Sequence, residues 1–188
     1  MLKLNTKRIK GYLINLNFLI LLLFIFASCH DNYQNCIDLD YGSEYIKIRG
    51  VEESDKNYFK YFCKTTEVFG IKIYATENVA NDKIFHAASV LAQYLDNDED
   101  GVVDDQNIFN ELNTNYTVMP VFHSENSNLI DQFFDNFNYC AGAILFRQEI
   151  DPSQPGQWGD DATVEEVLHT INTCGHVEVY PQLYGLEP

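Results

Sequence analysis

The stretch that most limits how this chain can fold is residues 95–107, Leu-Asp-Asn-Asp-Glu-Asp-Gly-Val-Val-Asp-Asp-Gln-Asn. It follows an apolar helical pattern without a break and ends at Ile108 and Phe109. Asp96, Asp98, Glu99, Asp100, Asp104 and Asp105 all fall within it. Bringing two carboxylates to about 4 Å costs roughly 1 kcal/mol in water, and more where the pair is partly buried. A fold that packs the flanking apolar residues must therefore place a cation here or leave the turn open to solvent.

Calcium suits such a turn, because it takes roughly six to eight oxygens, and a loop of about twelve residues supplies them from its odd positions and its last, around a glycine at the sixth. With Asp96 first, the side chains of Asp98, Asp100 and Asp104, the carbonyl of Val102 and the turn glycine Gly101 fall in sequence. Over these residues the chain resembles EF-hand and dockerin-type calcium loops. That resemblance implies a calcium site built from Asp96, Asp98, Asp100, Val102, Asp104 and Asn107. Asn107 stands where the family has a bidentate acid and offers one neutral oxygen, so the expected affinity is weak, about 10⁻⁴ to 10⁻³ M. Asp105 is the substitute ligand if the loop is shorter. The competing reading is a solvated acidic turn between two helices.

The N-terminus carries Lys3, Lys7, Arg8 and Lys10, then an apolar run over residues 13–26 interrupted by Asn15 and Asn17, then Ala27-Ser28-Cys29. A basic start, an apolar run and small residues form a signal peptide over residues 1–28. Small residues before a cysteine resemble the lipobox of bacterial lipoproteins, which implies lipidation of Cys29 and a polar tether over residues 29–45. Phe26 departs from that pattern, which has a smaller aliphatic residue there. The alternative is an uncleaved membrane anchor, near the lower length that spans a bilayer. Both place the remainder outside the cytoplasm, as a periplasmic or cell-surface protein held to the membrane.

The leader holds four of the twelve basic residues and none of the 28 acidic ones, so the mature part has eight against 28. A surface with that balance repels nucleic acid and anionic headgroups and favours cations. Cys36, Cys63, Cys140 and Cys174 allow two disulfides in any of three connectivities, or four buried thiols. No close Cys-x-x-Cys pair points to redox work or a zinc ribbon.

The alternation of Val68, Ile71, Ile73 and Ala75 predicts a central strand over residues 68–75. Residues 78–82 offer helix caps, and Ile84, Ala87, Ala88, Leu91, Ala92 and Leu95 recur at helical spacing over residues 82–95. His86 on this helix reads as a structural or surface residue. A short helix over residues 108–112, a strand over 117–122, a helix carrying Ile130, Phe133, Phe134 and Phe137, and a strand over 141–146 follow. A Pro- and Gly-rich loop over 151–161 precedes a last helix. This order predicts one α+β domain over residues 46–188, a mixed sheet with packed helices.

That last helix begins at Asp161 and carries Glu165, Glu166 and His169, with His176 just beyond Gly175. Two ligands four apart on one helix face, with a glutamate between, hold zinc and activate water in His-Glu-x-x-His peptidases. The segment resembles a zincin helix whose first histidine is replaced by Glu165. The resemblance implies zinc on Glu165, His169 and His176 with Glu166 as the catalytic base, in a metallopeptidase or its inactive relative. The plainer reading is an amphipathic helix with a Glu165–His169 contact worth a few tenths of a kcal/mol. In that reading Val164, Val167, Leu168 and Ile171 form the buried face.

Overall fold

The computed structural model describes residues 41–135, 138–153 and 161–185, all within one compact unit, Gln34–Pro188. The expected leader, Cys29, Cys36, Phe137 and most of the loop over residues 151–161 lie outside the described residues. The fold is the expected α+β arrangement around a mixed sheet, with strand order following the chain from β1 to β6.

Strands β1 (Tyr41–Gly42), β2 (Lys47–Gly50), β3 (Lys64–Val68) and β4 (Ile71–Ala75) form an antiparallel half. Helix α1 (Lys56–Phe59) lies between β2 and β3. The expected single strand over residues 68–75 is corrected here. Val68 ends β3 and pairs with Ile71 of β4, and Phe69 and Gly70 form a two-residue turn at φ 48° and 84°. Positive φ at both turn residues matches the twist of the two strands it joins. Glycine adopts it freely, whereas Phe69 is held there by packing on the main core.

Helices α2 (Asn81–Leu95) and α3 (Gln106–Thr114) then cross to β5 (Val118–Phe122), which runs parallel to β4. Helix α2 buries Ile84, Ala87, Ala88, Leu91 and Leu95, the face its spacing predicts. Its N-cap residue is Ala80, and no side chain caps it, contrary to the expected role of residues 78–82.

Helix α4 (Leu129–Asp135) leads to β6 (Leu145–Phe146), parallel to β5. Phe133 is buried, but Phe134 is 45% exposed, so the aromatic stripe is only partly core. The strand expected over residues 141–146 shrinks to its last two residues. Gly142 presses on the next helix so closely that a Cβ would sit 2.6 Å from the Thr170 Cα and 2.8 Å from the His169 carbonyl oxygen.

Helix α5 (Thr163–Ile171) continues into a π-helical turn (Asn172–His176), then α6 (Val177–Val179) and α7 (Pro181–Tyr184). The main core joins one sheet face to α2, α3, α5 and the π turn, and a second, aromatic core joins the other face to α1 and α4. Cys140 and Cys174 form a disulfide, which only one of the three two-disulfide connectivities contains, and Cys63 is also disulfide-bonded.

Candidate metal centre

Leu95, buried in the main core, ends α2 and aims the next residue into the acidic turn. The Asp96 amide donates to the Ala92 carbonyl at 2.9 Å, so the backbone of the first expected ligand still belongs to the helix. Its carboxylate is 8% exposed as a residue and accepts from the Asp100 amide at 3.0 Å and the Gly101 amide at 2.8 Å. Gly101 makes that approach at φ 86°, and Glu99 adopts φ 59°. The turn is closed by the Asp104 amide, which donates to the Leu95 carbonyl at 2.8 Å, and by the Asn97 amide, which donates to Asp104 Oδ2 at 2.9 Å.

One carboxylate oxygen from each of Asp96, Asp98 and Asp104 lies within 4.8 Å of the others, the only such group of three among the described residues. The charge of Asp100 beside it, with burial and the charges of Asp104 and Asp96, holds the Asp98 carboxyl above its usual pKa. Neighbouring charge therefore disfavours the ionised form of Asp98 in the folded chain, a penalty that sets in as pH rises through its folded pKa. A divalent cation reverses that sign.

The other three expected ligands stand differently. Asp100 Oδ1 accepts from the Val102 amide at 2.8 Å, outside the group of three, and Val102 is exposed. Asn107 sits in the first turn of α3 beside the Tyr180 hydroxyl. Asp105, the substitute ligand, is the N-cap of α3 and is fully engaged. Its Oδ1 accepts from the Asn107 and Ile108 amides at 2.9 and 3.2 Å, and its Oδ2 accepts from the Tyr180 hydroxyl at 2.7 Å. The Tyr180 hydrogen bond is the main cause that lowers the Asp105 pKa, and the same bond raises that of Tyr180. Expected only as the substitute ligand, Asp105 carries one signal that marks it as a cap, its place ahead of Ile108, whereas Tyr180, 75 residues away, leaves none.

The second constellation is brought together only in part. His169 Nε2 is 3.9 Å from Glu165 Oε1 and its Nδ1 is 3.5 Å from Glu166 Oε2, on a half-exposed helix face. His176 instead meets Asn172 Oδ1 through Nδ1 at 2.6 Å and stacks on Tyr184 at 4.4 Å, and burial pushes its pKa down. Seven residues of α-helix would return His176 to the His169 face. The intervening π turn, hydrogen-bonded from i to i+5, carries it off that face. Zinc sites draw at least three protein ligands, and among the described residues Glu165, His169 and His176 do not form such a group.

His86, expected as structural or surface, ties α2 to the start of α5. Its Nε2 lies 2.9 Å from Asp161 Oδ2, whose side chain has no exposed surface. No protein-family model, curated protein or solved structure matches this chain.

Proposed function

We propose that this chain is an exported, lipid-anchored protein whose folded domain holds one calcium ion as a structural element. The observation that carries the reading is the convergence of Asp96, Asp98 and Asp104 on a turn whose glycine takes the left-handed conformation at the sixth position. The ion is structural, not a switch, because the loop is single and both flanking helices are anchored in the main core through Leu95, Ile108 and Leu112. Export and anchoring rest on the basic start, the apolar run and Cys29. No helix among the described residues is long and apolar enough to cross a membrane.

Binding to the folded state alone adds about 2.7 kcal/mol when calcium is a hundredfold above Kd. For a domain of this size that raises Tm by roughly 5–10 °C. The check is thermal melting in about 10–100 mM calcium, a hundredfold above the expected Kd, and in chelator, for the native chain and for Asp96→Ala. Identical melts of the native chain in both conditions would refute the calcium reading.

Anchoring has a separate test. Cells fed labelled palmitate should incorporate it into the native chain and lose incorporation in Cys29→Ser. Label retained in the variant would place the lipid elsewhere.

A further inference from the structure

We infer that Tyr180 is a positioning residue of the cation loop, through which the C-terminal segment sets the loop's affinity for its ion. The inference rests on the calcium reading above and adds a remote determinant to it.

Asp104 contributes to the group of three carboxylates, and Asp105 follows it directly. With Oδ1 spent on the Asn107 and Ile108 amides and Oδ2 on the Tyr180 hydroxyl, Asp105 fixes where the loop ends and the helix begins. Tyr180 is itself held, since its amide donates to the His176 carbonyl at 2.7 Å. The π turn it hangs from is clamped by the Cys140–Cys174 disulfide.

Helix α3 is pinned by the same segment at its other end. The side-chain amide of Asn115, its C-cap, donates to the Cys174 carbonyl at 2.9 Å. Between the two pins, Ile108 and Leu112 lie against Gly175, where a Cβ would sit 3.1 Å from Leu112 and 3.3 Å from Ile108. Helix α3 and the C-terminal segment thus form one rigid support, and Asp104 stands at its tip. Groups that only orient ligands still change metal affinity by about tenfold or more when removed.

The test is calorimetric titration of the full chain in detergent micelles with calcium chloride. Tyr180→Phe should weaken Kd about tenfold. Asp105→Ser keeps an N-cap but shortens the acceptor, so it should weaken binding similarly. The double variant should fall clearly short of the sum of the two single effects, because both substitutions remove the Tyr180–Asp105 hydrogen bond. Tyr184→Phe, which leaves that bond intact, should titrate like the native chain.

Native-like Kd in Tyr180→Phe would overturn the inference. So would additive effects in the double variant, or an equal loss of Tm in calcium and in chelator, which marks a purely structural bond. A native chain that takes up no calcium fails differently: it removes the site itself.

Discussion

Replacing Phe59 with alanine should lower stability by about 4 kcal/mol and Tm by roughly 10 °C, the range for a fully buried aromatic removed from a core. Phe59 is 2% exposed and its ring stacks on Tyr74 at a centroid distance of 3.9 Å and an angle of 10°. Phe62, Phe133 and Tyr139 complete its surroundings at 5.2 to 6.2 Å. The cavity cannot easily close. Tyr74 belongs to β4, paired on both sides, and its hydroxyl donates to Asp55 Oδ2 at 2.7 Å, which also holds Lys72 at 2.7 Å. Urea unfolding followed by circular dichroism measures the loss. A change well under 1 kcal/mol with an unaltered slope would mean that this face of the sheet contributes little to cohesion.

Asp161→Ala should cost about 3 kcal/mol at neutral pH, because losing the buried carboxylate leaves the Thr163 and Asp151 donors without their acceptor. The lost carboxylate accepts from the Thr163 hydroxyl at 2.6 Å, the Thr163 amide at 3.2 Å and the Asp151 amide at 3.3 Å, as well as meeting His86. Burial alone would raise the Asp161 pKa, but bonds from Thr163, His86 and Asp151 hold it below the ordinary value. A depressed carboxyl stabilises the fold fully above its unfolded pKa, near 3.9, and loses that contribution as pH falls through the folded pKa. The gap between native and variant should therefore be largest near neutrality and shrink as pH is taken below about 4. Paired urea unfolding at neutral and acid pH tests this. A gap that widens in acid would contradict the assigned ionisation.

How far such a structure can be read from its residues depends on whether one partner or two decide each element. Helix α2 is legible because Ile84, Ala88, Leu91 and Leu95 meet a single large core at three- and four-residue spacing. Strands β2 and β3 leave little trace. Lys47–Gly50 buries only Ile48, and Lys64–Val68 buries only Thr66 and Val68. Residues 141–144 have strand-like composition, but Gly142 lets them dock on α5 instead of β5. The π turn has no sequence mark of its own, and it decides where His176 goes.

At the acidic loop, regular spacing was enough to find Asp96, Asp98 and Asp104. The engagement of Asp100 with the Val102 amide, outside the group of three, is a local hydrogen-bond choice between neighbours. The role of Asp105 depends on Tyr180, and the Cys140–Cys174 pairing on where α5 ends. Each of these lies beyond what local pattern carries.

The sheet also ends in a particular way on both sides. Among the described residues its outermost strands, β1 and β6, have two residues each, whereas β3, β4 and β5 have five. An outer strand is a template on which another chain can add its own backbone, and a template of two residues offers almost nothing to copy. Just past β6 the Arg147 amide is already used on the Phe122 carbonyl at 2.9 Å. Molecules that meet at the β6 edge can therefore collide without zippering into a shared sheet.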